Sequence, residues 1–122
     1  MSPPDPDRRR VIAYAGAIAV LPSPTKEENK MYGLIGQMIT APGRRAELAE
    51  ILLAGTKDMP GCRSYVVAED LTNPDALWIT EVWDSQELHG ASLKLPGVQA
   101  AIARGRPLIA GFGSRTETRP LG

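Results

Sequence analysis

The hydrophobic patterning of this chain predicts an α+β fold with elements in the order β-α-β-β-α-β, and three observations carry that prediction. Apolar runs with β-branched residues stand at 31–40, 62–70 and 76–83, and stretches with helical apolar spacing follow the first and the third. A strong reverse-turn sequence, Thr72-Asn73-Pro74-Asp75, joins the second run to the third, so those two form a hairpin. The chain closes on residues 114–120 (SRTETRP), where threonines alternate with charges as in an exposed strand. This order is the split β-α-β, ferredoxin-like arrangement: a four-stranded antiparallel sheet with two helices on one face.

Each element has its own local reason. Residues 31–40 (MYGLIGQMIT) are apolar on successive positions, as in a strand buried on both faces, and Ala41-Pro42-Gly43 ends it. From Arg44 to Ala54 the period becomes helical, with Leu48, Ile51 and Leu52 on one face opposite Arg45, Glu47 and Glu50. Gly55 is a natural stop, and Met59-Pro60-Gly61 is a turn. After the hairpin, Asp84 and Glu87 read as a capping box. Leu88, Ala91, Ser92 and Leu95 then share a helix face, and Val98, Ala101 and Ile102 resume it beyond Pro96-Gly97. Residues 105–113 read as a loop with an apolar middle.

The strands carry apolar residues on both parities. Tyr32, Leu34 and Met38 alternate with Ile35 and Ile39, and Leu77, Ile79 and Trp83 with Trp78 and Val82. Helices on one face leave the other apolar face uncovered, and the simplest cover is a second copy of the sheet, a two-fold homodimer.

Residues 1–30 stand apart. They hold five of the eleven prolines, then Arg8-Arg9-Arg10 and an uncharged run at 11–21. The basic patch and apolar run resemble a leader peptide, but the run falls short of the ~20 residues that span a bilayer. A strand or helix docked on the domain is another reading. The expectation is an N-terminal extension with little structure (1–30) and one domain (31–122).

Composition bounds the function. With 14 basic and 14 acidic residues the chain is neutral, which argues against nucleic-acid binding. No stretch suits a membrane span, so a cytoplasmic protein with no membrane partner is expected. One cysteine closes no internal disulfide, and one histidine with one cysteine builds no common metal centre, so no metal is expected.

Residues 81–89 (EVWDSQELH), followed by Ala91-Ser92-Leu93 and Leu95-Pro96-Gly97-Val98, resemble the antibiotic biosynthesis monooxygenase (ABM) family. Gly61-Cys62 with Tyr65, and Pro42-Gly43-Arg44 after the first strand, fit the same family. The resemblance spans residues 31–122. It implies a dimeric α+β barrel, with two sheets packed face to face and a cavity between sheet and helices in each subunit. Studied members include cofactor-independent oxygenases of anthrones and quinols, and relatives on the fold include haem-degrading oxygenases and an isomerase. The haem-degrading relatives use an asparagine in the first strand, which 31–40 lacks.

Six positions are candidates for a site. His89, the one imidazole, suits a general base near neutral pH and sits at the border of the buried helix face; its structural reading is a half-exposed helix histidine. Glu81 is a carboxylate within an apolar strand and the competing base; it is expected to pair with a neighbour such as Arg63, since a bare buried charge is costly. Trp78 and Trp83 lie five apart on one strand and therefore face opposite sides. Trp78 is the favoured cavity residue, with Trp83 bracing the start of the helix. Tyr65 and Tyr32 either hold a substrate hydroxyl or bury a ring. Asn73 reads as a turn residue and Cys62 as a structural thiol. The resulting expectation is a monooxygenase that uses no cofactor and acts on a small hydroxylated aromatic with O₂. An isomerase on the same fold and a non-catalytic dimeric binding protein are the alternatives.

Overall fold

The computed structural model describes residues 29–122, so the expectations for residues 1–28 lie outside it. The elements run β1 (Tyr32–Thr40), α1 (Arg45–Gly55), β2 (Cys62–Glu69), β3 (Ala76–Trp83), α2 (Gln86–Ser92), α3 (Pro96–Gly105), a 3₁₀ turn (Arg106–Leu108) and β4 (Ile109–Thr118). The sheet has the order β2-β3-β1-β4 with every neighbouring pair antiparallel. This is the ferredoxin-like α+β arrangement, with the second helical region split in two. Among the described residues no helix is long and apolar enough to cross a membrane.

The split follows from the sequence. Pro96 at the first position of α3 lacks the N–H that a continuous helix would need there. Leu93, Lys94 and Leu95 bond back three residues to Gly90, Ala91 and Ser92, tightening the end of α2 before the chain restarts. The expected capping box is replaced by a cap one residue later: Ser85 Oγ accepts from the Leu88 amide at 3.2 Å. Asp84 instead pairs with Arg63 at 2.5 Å, and its amide bonds to the Gly61 carbonyl. Ala91, placed by its spacing on the buried face, is exposed.

The final strand begins five residues earlier than expected. Ile109–Gly113 pairs with β1, so the apolar stretch read as a loop is the first half of β4. Arg45, assigned to the solvent face of α1, is half-buried. Its guanidinium donates to the carbonyls of Asp70 and Asn73 and pairs with Glu69 at 3.3 Å, tying the helix to the hairpin turn.

Two core clusters lie between helices and sheet. Leu48 and Ile51 of α1 pack with Leu77, Ile79, Ala101 and Leu108, and Tyr32, Leu34, Met59, Trp83 and Val98 form the second. In β1 and β3 the residues facing the helices are Leu34 and Met38, and Leu77, Ile79, Glu81 and Trp83. Their alternates Ile35, Trp78, Thr80 and Val82 face away, joined by Val66 of β2, and no described element covers that side.

Candidate functional site

The β1–β3 register fixes the site. Leu34 stands opposite Glu81 and Tyr32 opposite Trp83, while Tyr65 of β2 stands opposite Glu81 from the other side. These side chains share the helix face. Residues 81 and 83 alternate onto one side of the strand, so the Trp83 indole folds back and donates to Glu81 Oε1 at 2.9 Å.

The helix that follows supplies the imidazole. The Ser85 cap starts α2, and His89 falls in its second turn, facing the sheet. His89 Nε2 lies 3.8 Å from the same Glu81 Oε1. Its ring stacks at a tilt 5.4 Å from Tyr32 and meets Trp83 edge-on at 5.5 Å. Its i+3 neighbour Ser92 donates its hydroxyl to the His89 carbonyl at 2.6 Å. The only imidazole of the chain is thus held between two aromatic rings with a carboxylate at its Nε2.

A turn glycine sets the position of α2. Gly61 has φ of +80°, a conformation that side chains rarely adopt, and its Cα face lies directly against Leu88. Leu88 precedes His89 in the chain, so the turn before β2 and the helix bearing the imidazole are packed as one unit.

Glu81, Trp83, His89 and Tyr65 line a cavity of about 180 Å³ between sheet and helices, closed by apolar residues including Met38, Val98 and Ala101. An adjoining cavity of about 160 Å³, called the second limb below, shares Glu81 and Met38 in its lining and runs toward β4 past Leu34, Gly36, Ile79, Phe112 and Arg115. Burial, reinforced by the Glu81 charge, pushes the Tyr65 hydroxyl far above the usual range, so Tyr65 is a neutral hydroxyl at any working pH. Burial likewise raises the Cys62 thiol, against a lowering backbone hydrogen bond from Ser64, and Glu81 adds to the rise; the thiol is no activated nucleophile. The Tyr32 hydroxyl donates to Glu117 of β4. It too is raised, by burial first and then by Glu117, with Arg115 acting the other way.

Five of the six candidates from the sequence therefore meet: His89, Glu81, Tyr65 and Trp83 in the cavity, and Tyr32 against the His89 ring. Trp78 does not. It faces the uncovered side, where its indole donates to Asp70 at 2.8 Å, and Trp83 occupies the cavity place assigned to it. The expected Glu81–Arg63 pair is also absent, because Arg63 is exposed and engages Asp84. Sequence reading missed Phe112 and Arg115. Among the described residues no cluster of three or more His, Cys, Asp or Glu side chains suits a metal.

The comparisons with known proteins agree with this geometry. The family described as antibiotic biosynthesis monooxygenase matches residues 31–104. A crystal structure from Chloroflexus aurantiacus, named for that family, is 62% identical; the alignment covers 75% of this chain and 94% of that one, with a TM-score of 0.74. One from Deinococcus radiodurans, with the same family name, is 30% identical over 73% of this chain and 91% of its own, with a TM-score of 0.62. A Caulobacter crescentus structure at 19% identity covers 78% and 93% with a TM-score of 0.69, a likeness of fold. No curated protein sequence matches. With a cavity, a fold and a sequence that all agree, this chain belongs to the antibiotic biosynthesis monooxygenase family.

Proposed function

We propose that the protein is a monooxygenase, needing no cofactor, that oxidises a small hydroxylated aromatic of quinol or anthrone type with O₂. The observation that carries this reading is the His89–Glu81 pair at the end of an apolar cavity, with Trp83 and Tyr65 in its walls. His89 Nε2 takes the substrate's acidic proton, and the Glu81 carboxylate stabilises the imidazolium that results. The Trp83 N–H holds Glu81 in place, and the Tyr65 hydroxyl is a neutral donor for the substrate's oxygen. The electron-rich anion then passes one electron to O₂, and the substrate radical and superoxide join through a new C–O bond. The peroxide accepts a proton to become a hydroperoxide; the base then takes the second hydrogen from that carbon as a proton, its C–H electron pair forms the carbonyl, and the O–O bond breaks to release the outer oxygen as water. The substrate is oxidised and O₂ reduced, so no further reductant enters. Apolar walls exclude water and keep the pair together.

The uncovered sheet face supports a homodimer within the same reading. Ile35 and Val66 are 40% and 48% exposed on it, beside Val82 and Trp78, and a second sheet of the same kind would bury them.

The test is oxygen uptake with an anthrone or quinol, wild type against His89→Ala. Uptake should fall by roughly 10²–10⁴-fold in the variant, the usual worth of a positioned base. Full uptake by His89→Ala would move the base to Glu81, and no uptake by the wild type across such substrates would remove the oxygenase reading in favour of an isomerase or a binding protein.

A further inference from the structure

The second limb of the cavity owes its walls to an irregularity in β4. Gly36 pairs with Arg115 and Met38 with Phe112, so two steps along β1 are matched by three along β4. One extra residue is accommodated in β4 between the two pairs. In a regular strand, residues 112 and 115 would point to opposite faces; the bulge turns both toward the helices. Gly113 fits it closely: a Cβ there would run into the Gln37 side chain, which would have to move aside. Re-aiming a side chain beside a site is a characteristic use of bulges.

The two re-aimed side chains are chemically distinct. Phe112 is an apolar ring left 70% exposed, lining both this limb and the cavity bordered by Leu48 and Ala101. Arg115 is an exposed planar cation that forms no salt bridge with any described carboxylate; it lies beside the Tyr32 hydroxyl, which donates to its strand neighbour Glu117. Between them lies open floor: a Cβ built on Gly36 would meet only the Ser114 carbonyl, at 3.8 Å. The limb begins at Glu81, shared with the His89 chamber, and ends at Arg115. A ligand along it therefore has its proton-losing end at the base and its far end at a guanidinium.

We propose that Phe112, Arg115 and Gly36 form a specificity subsite, which selects hydroxylated aromatics carrying a carboxylate. The ring lies over Gly36 against Phe112, and the carboxylate takes a charge-assisted bond from Arg115. The proposal rests on the cavity being the substrate site, and it names the substrate class that the reading above leaves open.

Binding isolates it from catalysis. The probes are 2,5-dihydroxybenzoate and its neutral near-isostere 2,5-dihydroxybenzamide, titrated by calorimetry on the full chain. Wild type should prefer the carboxylate by about threefold to tenfold, the worth of a charged hydrogen bond to an exposed guanidinium. Arg115→Gln should remove the preference, the loss falling on the carboxylate far more than on the amide, and Arg115→Lys should keep part of it. Gly36→Val suits a strand and strains no backbone, and should weaken both probes by about tenfold or more by filling the floor. Equal affinity of wild type for the two probes, a preference that survives Arg115→Gln, or no binding of either would overturn the subsite. Oxygen uptake is scored separately. A carboxylate preference without uptake removes the oxygenase reading and keeps the subsite, while uptake with a neutral quinol and no preference does the reverse.

Discussion

The two faces of the sheet are built from the same strands and similar hydrophobicity, yet they differ in kind. On the helix side, β1 and β3 place Leu34, Met38, Leu77, Ile79 and Trp83 in the core and Glu81 among them. Every group of the candidate site, His89, Glu81, Tyr65 and Arg115, belongs to that side. The other side offers Ile35, Val66, Trp78 and Val82 among hydroxyls such as Ser64, Thr80 and Thr116, and at one corner Gln37 and Trp78 both donate to Asp70. A titratable group needs a dry, fixed environment to do chemistry, and only the covered face supplies one. The open face has what association needs, apolar area without buried charge.

The largest expected contrast is between the two tryptophans. Trp83 is 1% exposed, so Trp83→Ala should cost about 3–5 kcal/mol in chemical denaturation and abolish ligand binding. Trp78→Ala, on the half-exposed side, should cost about 1 kcal/mol and leave binding intact. Equal costs would mean that both faces are core. Next in size is the effect of a charge. Val66→Asp on the open face should leave the circular dichroism unchanged while light scattering shifts from dimer to monomer. A wild type that scatters as a monomer at micromolar concentration would break the comparison at that point.

The smallest effect belongs to the corner. Asp70 accepts from the amides of Thr72 and Asn73, the Thr72 hydroxyl and the indole of Trp78, and these bonds hold its carboxyl at about 2, below the ordinary 3.8. A lowered carboxyl stabilises the fold above its unfolded value, and that contribution fades as pH falls from about 4 toward 2. Asp70→Asn should therefore melt below wild type at neutral pH, with the gap closing over that window. A constant gap would assign the effect to geometry alone.

Strands, hairpin and helix α1 were legible in the sequence because their periodicity and turn residues agree. So was the gathering of His89, Glu81, Tyr65 and Trp83, apart from one parity. That Trp78 and Trp83 oppose each other follows from their spacing; which of them meets the helices depends on how α1 and α3 settle on the sheet, a tertiary fact. The partner of Glu81 was hidden for a similar reason. Arg63 falls at a register irregularity between Cys62 and Ser64, which leaves it in solvent beside Asp84. Phe112 and Arg115 were illegible because a bulge destroys the alternation by which a strand declares itself, so that IAGFG reads as loop. Asp84 and Ser85 are both good caps, and only the register at which β3 ends chooses between them.

Gly61 carries a consequence for mutational tolerance. A Cβ at that position would overlap the Leu88 side chain on its near side, and α2 would have to swing outward to make room. His89 is the next residue, held only 3.8 Å from Glu81, so the swing falls on the base itself. In an alanine scan Gly61 would score with the reactive groups although it touches no ligand. The genetic footprint of the site is thus wider than its contact surface, and it includes a residue with no side chain at all.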